Sequence, residues 1–301
     1  KICGVAIPCG CLGLSQERLK TWRKCTLVEC LGGCRIMGKR YRVDKKRNVG
    51  TAIFILEGGK TEFDILEFVF TKILDYHLVE LRRGNTEFLF RGKESNTKII
   101  GLNLKGNFLY DINAEELNRL VFRIDSELNV KAEDSWIFYL YDRDVLSYQN
   151  KFDVREACVE RYQKAMGGNE DGSQGQLLLS YPAIEGYLIS CFRDLESEPK
   201  FKLGKDLKQY AAEHHCQKQM LRSEEQLVHA AYEMEAALGR LGCDACNDLD
   251  DLGETLRAAY DAEERVYQKE DAYPLLSLIS LALLEMGVLV EDDEDGAENV
   301  T

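Results

Sequence analysis

TAIFILEGGKTEFDILEFVFTKIL, Thr51 to Leu74, is the stretch whose reading decides the fold. Ala52 to Leu56 is a short apolar run of the kind a fully buried strand shows, and Gly58 and Gly59 free the backbone for a tight turn. From Thr61 onward Phe63, Leu66, Val69, Phe70, Ile73 and Leu74 recur at helical spacing, with Glu62, Asp64, Glu67, Thr71 and Lys72 on the other face. Thr61 with Asp64 reads as a capping box at the helix start. A strand that turns through glycines into a helix is the unit of an α/β sheet, whose ligands bind beyond the carboxyl ends of the strands. Glu57 stands at that edge. Taken alone, the segment is equally an ordinary strand, turn and helix with solvated acids.

Two further strand ends carry acid. Ser135 to Tyr141, SWIFYLY, is rich in strand formers and runs into Asp142, Arg143 and Asp144. If the extended conformation persists, Asp142 and Asp144 project to one side, two residue rises or roughly 7 Å apart. Gln176 to Tyr181 forms a third strand candidate before Pro182, which suits a first helical turn, and places Glu185 in the turn that follows. Mg²⁺ takes oxygen ligands and keeps several waters, so a few convergent carboxylates suffice. Asp142 and Asp144 are the first choice as ligands, and Glu57 is the candidate second ligand or general base. Glu62 and Glu185 serve as further ligands or as solvated helix residues.

The pattern E-G-x-x-T-E (Glu57, Gly58, Thr61, Glu62), D-x-D (Asp142, Asp144) and a proline-preceded glutamate (Pro182, Glu185) resembles the Toprim domain. The branch it resembles is that of the RloB-like and OLD-nuclease-like proteins, over roughly residues 51–192. The resemblance implies a mainly parallel sheet flanked by helices that binds Mg²⁺ or Mn²⁺ through these carboxylates and acts on phosphodiester bonds. It implies a nuclease of anti-phage or nucleic-acid defence, with DNA or RNA as partner. The alternative is a non-catalytic Toprim module that engages nucleic acid or protein, including an ATPase. In the third motif Tyr181 stands where RloB-like proteins commonly have asparagine, and Gly186 with Tyr187 follow Glu185 where tryptophan is usual. Those departures loosen the branch and leave the acidic residues in place.

The chain of 301 residues carries a net charge of −13, which argues against broad nucleic-acid contact through clustered cations. The charge is uneven: residues 1–50 hold 12 Lys and Arg against 3 acids, the remainder 27 against 49. Arg82, Arg83, Arg91, Lys93 and Arg143 are candidate phosphate contacts or scattered surface cations. Six of the 11 cysteines, Cys3, Cys9, Cys11, Cys25, Cys30 and Cys34, lie near the start without the C-x₂-C pairs of a zinc site. Cys243 and Cys246 do form a C-x-x-C, which with His214, His215 and Cys216 is either a metal site or loop thiols beside surface histidines. Abundant thiols without a convincing signal peptide favour a reducing cytoplasm.

The expected organisation is a basic, Cys-rich leader over residues 1–50, an α/β domain over 51–200, a helical region over 201–290 and an acidic disordered tail over 291–301. Lys1 in place of an initiating Met leaves a fragment, a processed product or a functional module as alternatives for the leader. Lys98 to Ile112 reads as added β structure ahead of a helix at Ala114 to Phe122, and Gly167 to Gly175 as a loop near the site. Helices are expected at Gly204 to Ala212, Ser223 to Leu241 and Asp250 to Asp271. Tyr273 to Val290 is apolar but contains Glu285, so it reads as a buried helix rather than a membrane span.

Overall fold

In the computed structural model the described residues are 40–57, 60–80, 87–93, 96–103, 130–143, 158–169, 174–243 and 252–292. Those from Tyr41 onward belong to one compact unit. Its frame is a mixed sheet with helices packed against it. The central strands are β2 (Thr51–Leu56), β5 (Lys98–Asn103), β6 (Trp136–Asp142) and β8 (Gln174–Tyr181), side by side in the order β5-β2-β6-β8 and all parallel. Both edges are antiparallel. β3 (His77–Glu80) and β4 (Glu87–Arg91) extend the β5 side, and β7 (Gln163–Gly168) and β9 (Leu276–Ser277) both pair with β8. The sheet is therefore parallel only at its centre, where the expectation was a mainly parallel sheet. A separate two-stranded sheet joins β1 (Arg40–Val43) to β10 (Leu289–Asp292).

The central strands are apolar on both faces because both faces are covered. In β2 every residue after Thr51 is buried, and in β6 Ile137 to Tyr141 are buried likewise. Phe54 of β2 stacks on Phe138 of β6 at 5.2 Å between ring centroids and meets Phe70 from the following helical segment at 5.9 Å. That segment starts as α1 (Lys60–Glu67) and widens to π-helical turns over Phe68–Ile73. The Thr71 hydroxyl donates to the Glu67 carbonyl at 2.6 Å, and the Leu74 N–H reaches back five residues to Val69 O. Asp75, with φ of 62°, ends it in the left-handed conformation common after a helix.

The helices that follow are α2 (Glu185–Ser190), α3 (Gly204–Glu213), α4 (Glu224–Arg240) and α5 (Leu252–Glu270). Ser223 and Gln226 close a capping box on α4, the Ser223 N–H donating to Gln226 Oε1 at 3.0 Å. This region is joined to the sheet: Phe201 and Tyr273 exchange backbone hydrogen bonds, β9 pairs with β8, and the Ser180 and Ser277 hydroxyls meet at 2.8 Å. Tyr273 to Val290 is not one buried helix. It divides into β9, the short α6 (Ile279–Glu285) and the first half of β10, and most of its residues are buried. The helix reading failed because a mostly apolar run carries no clear period to separate strand from helix.

Three expected boundaries move. β1 falls within the expected basic leader, and its residues from Tyr41 onward belong to the compact unit, while residues 1–39 lie outside the described residues. Glu291 and Asp292, expected in the acidic disordered tail, complete β10, and residues 293–301 lie outside the described residues. Gly167, Gly168, Gln174 and Gly175 belong to strands of the β7–β8 hairpin rather than to its loop. Lys98 to Asn103, read as added structure, is β5 and pairs directly with β2. The rest of that stretch and the expected helix at residues 114–122 lie outside the described residues. Among the described residues no helix is long and apolar enough to cross a membrane.

Candidate functional site

Parallel pairing of β2 with β6 and of β6 with β8 brings three carboxyl ends to one edge, with Leu56 opposite Leu140 and Asp142 opposite Ser180. Each end carries an acid. Glu57 is the first residue after β2, Asp142 the last of β6, and Glu185 opens α2 four residues beyond β8. They are joined by hydrogen bonds between elements. The Asp142 N–H donates to Glu57 Oε2 at 3.0 Å, and the Ile184 N–H donates to Asp142 Oδ1 at 2.8 Å. Those bonds span 85 and 42 residues of sequence and aim two carboxylates at the same place. Asp144, the other half of D-x-D, lies outside the described residues, as do Gly58 and Gly59.

Glu62 and Asp64 correct the helix-face reading, since both are buried rather than solvated. Asp64 forms an ion pair with Lys218, brought over it from the turn Lys218–Met220. Burial holds the Lys218 ammonium below its usual range, and Lys60 nearby pushes the same way. Glu62 turns inward to the acidic edge. The outward reading of Asp64 failed because one helix cannot show what a segment far along the chain will cover, while for Glu62 burial removes the solvated alternative.

The acids are coupled. Burial pushes the Asp142 carboxyl well above the usual carboxylate range, and the charges of Glu62, Glu57 and Glu185 push it further, while Lys208 alone pulls it down. Glu185 is also raised, first by burial and then by Glu62. Lys208, its own backbone N–H and the Thr61 hydroxyl oppose that rise. The Lys208 ammonium, from α3, lies 3.9 Å from Glu185 Oε1, and Glu185 Oε2 meets no hydrogen-bond partner among the described residues. Four carboxylates drawn to one edge, with Lys208 among the groups that offset them, concentrate negative charge there. A cation would compensate it, and oxygen donors of this kind suit Mg²⁺ or Mn²⁺. Among the described residues, however, no group of three or more His, Cys, Asp or Glu side chains is disposed to hold a metal ion.

Lys208 and Lys218 carry no mark in the sequence that would connect them with the acids. Each is a polar position of its own segment and meets its acid, Glu185 for Lys208 and Asp64 for Lys218, only through packing. Arg143, a candidate phosphate contact, is buried with 1% exposure and its Nε lies 2.7 Å from Glu264 Oε1, so it is not a surface cation. Lys93 pairs with Asp75 at 2.6 Å, Arg91 is exposed, and Arg82 and Arg83 lie outside the described residues. His214 stacks on Tyr210, and its Nδ1 lies 2.9 Å from the Tyr210 carbonyl. Cys216 and Cys243 are buried, and Cys246 lies outside the described residues.

The chain matches no protein-family model, and no curated protein is similar to it at the level searched. Among solved structures it is similar to a hypothetical protein from Pyrococcus horikoshii OT3, at 13% identity and a TM-score of 0.32, over 79% of this chain and 95% of that one. So distant a likeness leaves the function to be argued from the acidic edge itself.

Proposed function

We propose that this chain is a Toprim-type enzyme, dependent on Mg²⁺ or Mn²⁺, that hydrolyses phosphodiester bonds in nucleic acid. The observation that carries the reading is the electrostatic coupling of Glu57, Glu62, Asp142 and Glu185, drawn from three neighbouring strand ends onto one edge. Asp142 and Asp144 would hold the ion, with Glu62 and Glu185 as further ligands and Glu57 as a ligand or general base. A bound ion of this kind polarises a phosphoryl oxygen and lowers the pKa of its water. The chain's own part is orientation: Ile184 N–H holds the Asp142 carboxylate, and Asp142 N–H holds that of Glu57. Lys208 adds a cation beside Glu185.

The resemblance places such an enzyme in anti-phage defence, alone or beside an ATPase. A non-catalytic Toprim module is the second reading, favoured by the use of Glu57 and Asp142 oxygens on backbone N–H groups. Calorimetric titration of the full chain with MnCl₂ and MgCl₂ separates the two, followed by incubation with labelled DNA and RNA, including tRNA. Ion binding with ion-dependent cleavage supports the enzyme. Nucleic-acid binding that is indifferent to the ions, with no cleavage, refutes it and supports the module.

A further inference from the structure

Arg143 follows Asp142 directly and precedes Asp144, yet its side chain turns away from the acidic edge into the protein. Its backbone N–H donates to Ser180 O at 2.9 Å, continuing the β6–β8 ladder by one residue. Its Nε donates to Glu264 Oε1, on α5, at 2.7 Å. The same oxygen accepts the Tyr273 hydroxyl at 3.2 Å, and the guanidinium carbon lies 5.9 and 5.8 Å from the ring centroids of Tyr260 and Tyr273. Beside this pair is Glu263, fully buried, with neither carboxyl oxygen meeting a hydrogen-bond partner among the described residues. Burial and then the Glu264 charge push the Glu263 carboxyl well above the usual carboxylate range.

A buried charge pair of this kind contributes little net stability, because desolvation offsets its attraction, and its attested use is to specify geometry. Here the geometry concerns the residue on either side of Arg143. We propose that Arg143 is a positioning residue: clamped by Glu264 from α5, it fixes the main chain at the end of β6 and so keeps the Asp142 carboxylate on the Ile184 N–H and among the other acids. A planar guanidinium between two aromatic rings is held in orientation as well as in place, which an ammonium would not be. The inference deepens the proposed function and rests on it for its catalytic meaning. Its structural claim, that Arg143 controls the Asp142 to Ile184 contact, is testable without any metal.

Arg143→Met alone leaves Glu264 buried and uncompensated, and unfolding of that variant would be uninformative, so the test uses Arg143→Met combined with Glu264→Gln. That double variant removes both charges of the clamp together and stays close to its volume. Amide hydrogen exchange of the full chain reads the clamp at Ile184. We expect exchange at Ile184 to quicken at least tenfold in the folded double variant, with amides of α4 unchanged. Under the same conditions the Mn²⁺ dissociation constant should rise at least tenfold. Unchanged Ile184 exchange in a folded double variant overturns the positioning role. A wild-type chain that binds no Mn²⁺ overturns the proposed enzyme instead, and the exchange result at Ile184 still decides the clamp.

Discussion

Replacing Glu285 with glutamine should flatten the dependence of stability on pH. Glu285 closes α6 against the sheet, where its Oε1 accepts the Gln176 amide at 2.9 Å and Oε2 meets no hydrogen-bond partner among the described residues. Burial raises its carboxyl from 4.5 to about 7, with the Gln176 hydrogen bond opposing. The folded protein thus holds this proton to a higher pH than the unfolded chain does. The stability contributed is fully present below pH 4.5 and is lost as pH rises to about 7. At 1.36 kcal/mol per pH unit the full effect is about 3 kcal/mol, and roughly 2 kcal/mol of it should be visible between pH 5 and pH 8 once partial solvent access is allowed for. Glutamine keeps the acceptor for Gln176 and has no proton to lose, but it buries an amide N–H with no evident partner, at a cost of about 1–2 kcal/mol. Glu285→Gln should therefore be less stable than wild type at pH 5 and equal or more stable at pH 8. Urea unfolding of both proteins across this range measures the crossover, and parallel curves would refute the buried, neutral state of Glu285.

At the acidic edge, Asp142→Asn keeps an oxygen acceptor for the Ile184 N–H while removing a charge that Glu57, Glu62 and Glu185 oppose. Its melting temperature in EDTA should equal or exceed that of wild type, and loss of the folded state would instead assign Asp142 a structural role. With Mn²⁺ at ten times its dissociation constant, wild type should gain about 1.4 kcal/mol, or roughly 3 to 5 °C, and Asp142→Asn should gain none. Because Asp142 and Glu185 are both raised, stability without a divalent ion should fall with pH above the usual carboxylate range. Glu185→Gln should reduce that fall, as read by thermal scans at several pH values; an unaltered slope would show that Glu185 is not coupled to the edge. Gly175 has φ of +104°, and a Cβ there would lie 2.5 Å from Tyr139 Cε2 and 2.8 Å from Ile137 Cγ2, so Gly175→Ala should cost about 2–4 kcal/mol in denaturant unfolding.

The regular elements were legible because burial imposes a local period. β2, β6 and β8 and helices α3 to α5 lie within about two residues of where the apolar pattern puts them. Adjacent acids at strand ends were equally readable, since Glu57 and Asp142 follow directly from where two apolar runs stop. The partners were not. A local pattern shows which face of a helix is apolar, but what covers the other face comes from packing at long range. Asp64 therefore looked solvated, and Glu62 stood open between ligand and solvated residue, until the turn bearing Lys218 and the acids of β6 and α2 were set against them. Arg143 looked like a free cation until Glu264, 121 residues on, supplied its counter-charge. The mixed edges of the sheet and the division of Tyr273 to Val290 also depended on tertiary structure. A continuous apolar run satisfies a strand or a helix alike, and only the neighbour that takes up its backbone N–H and C=O groups decides between them.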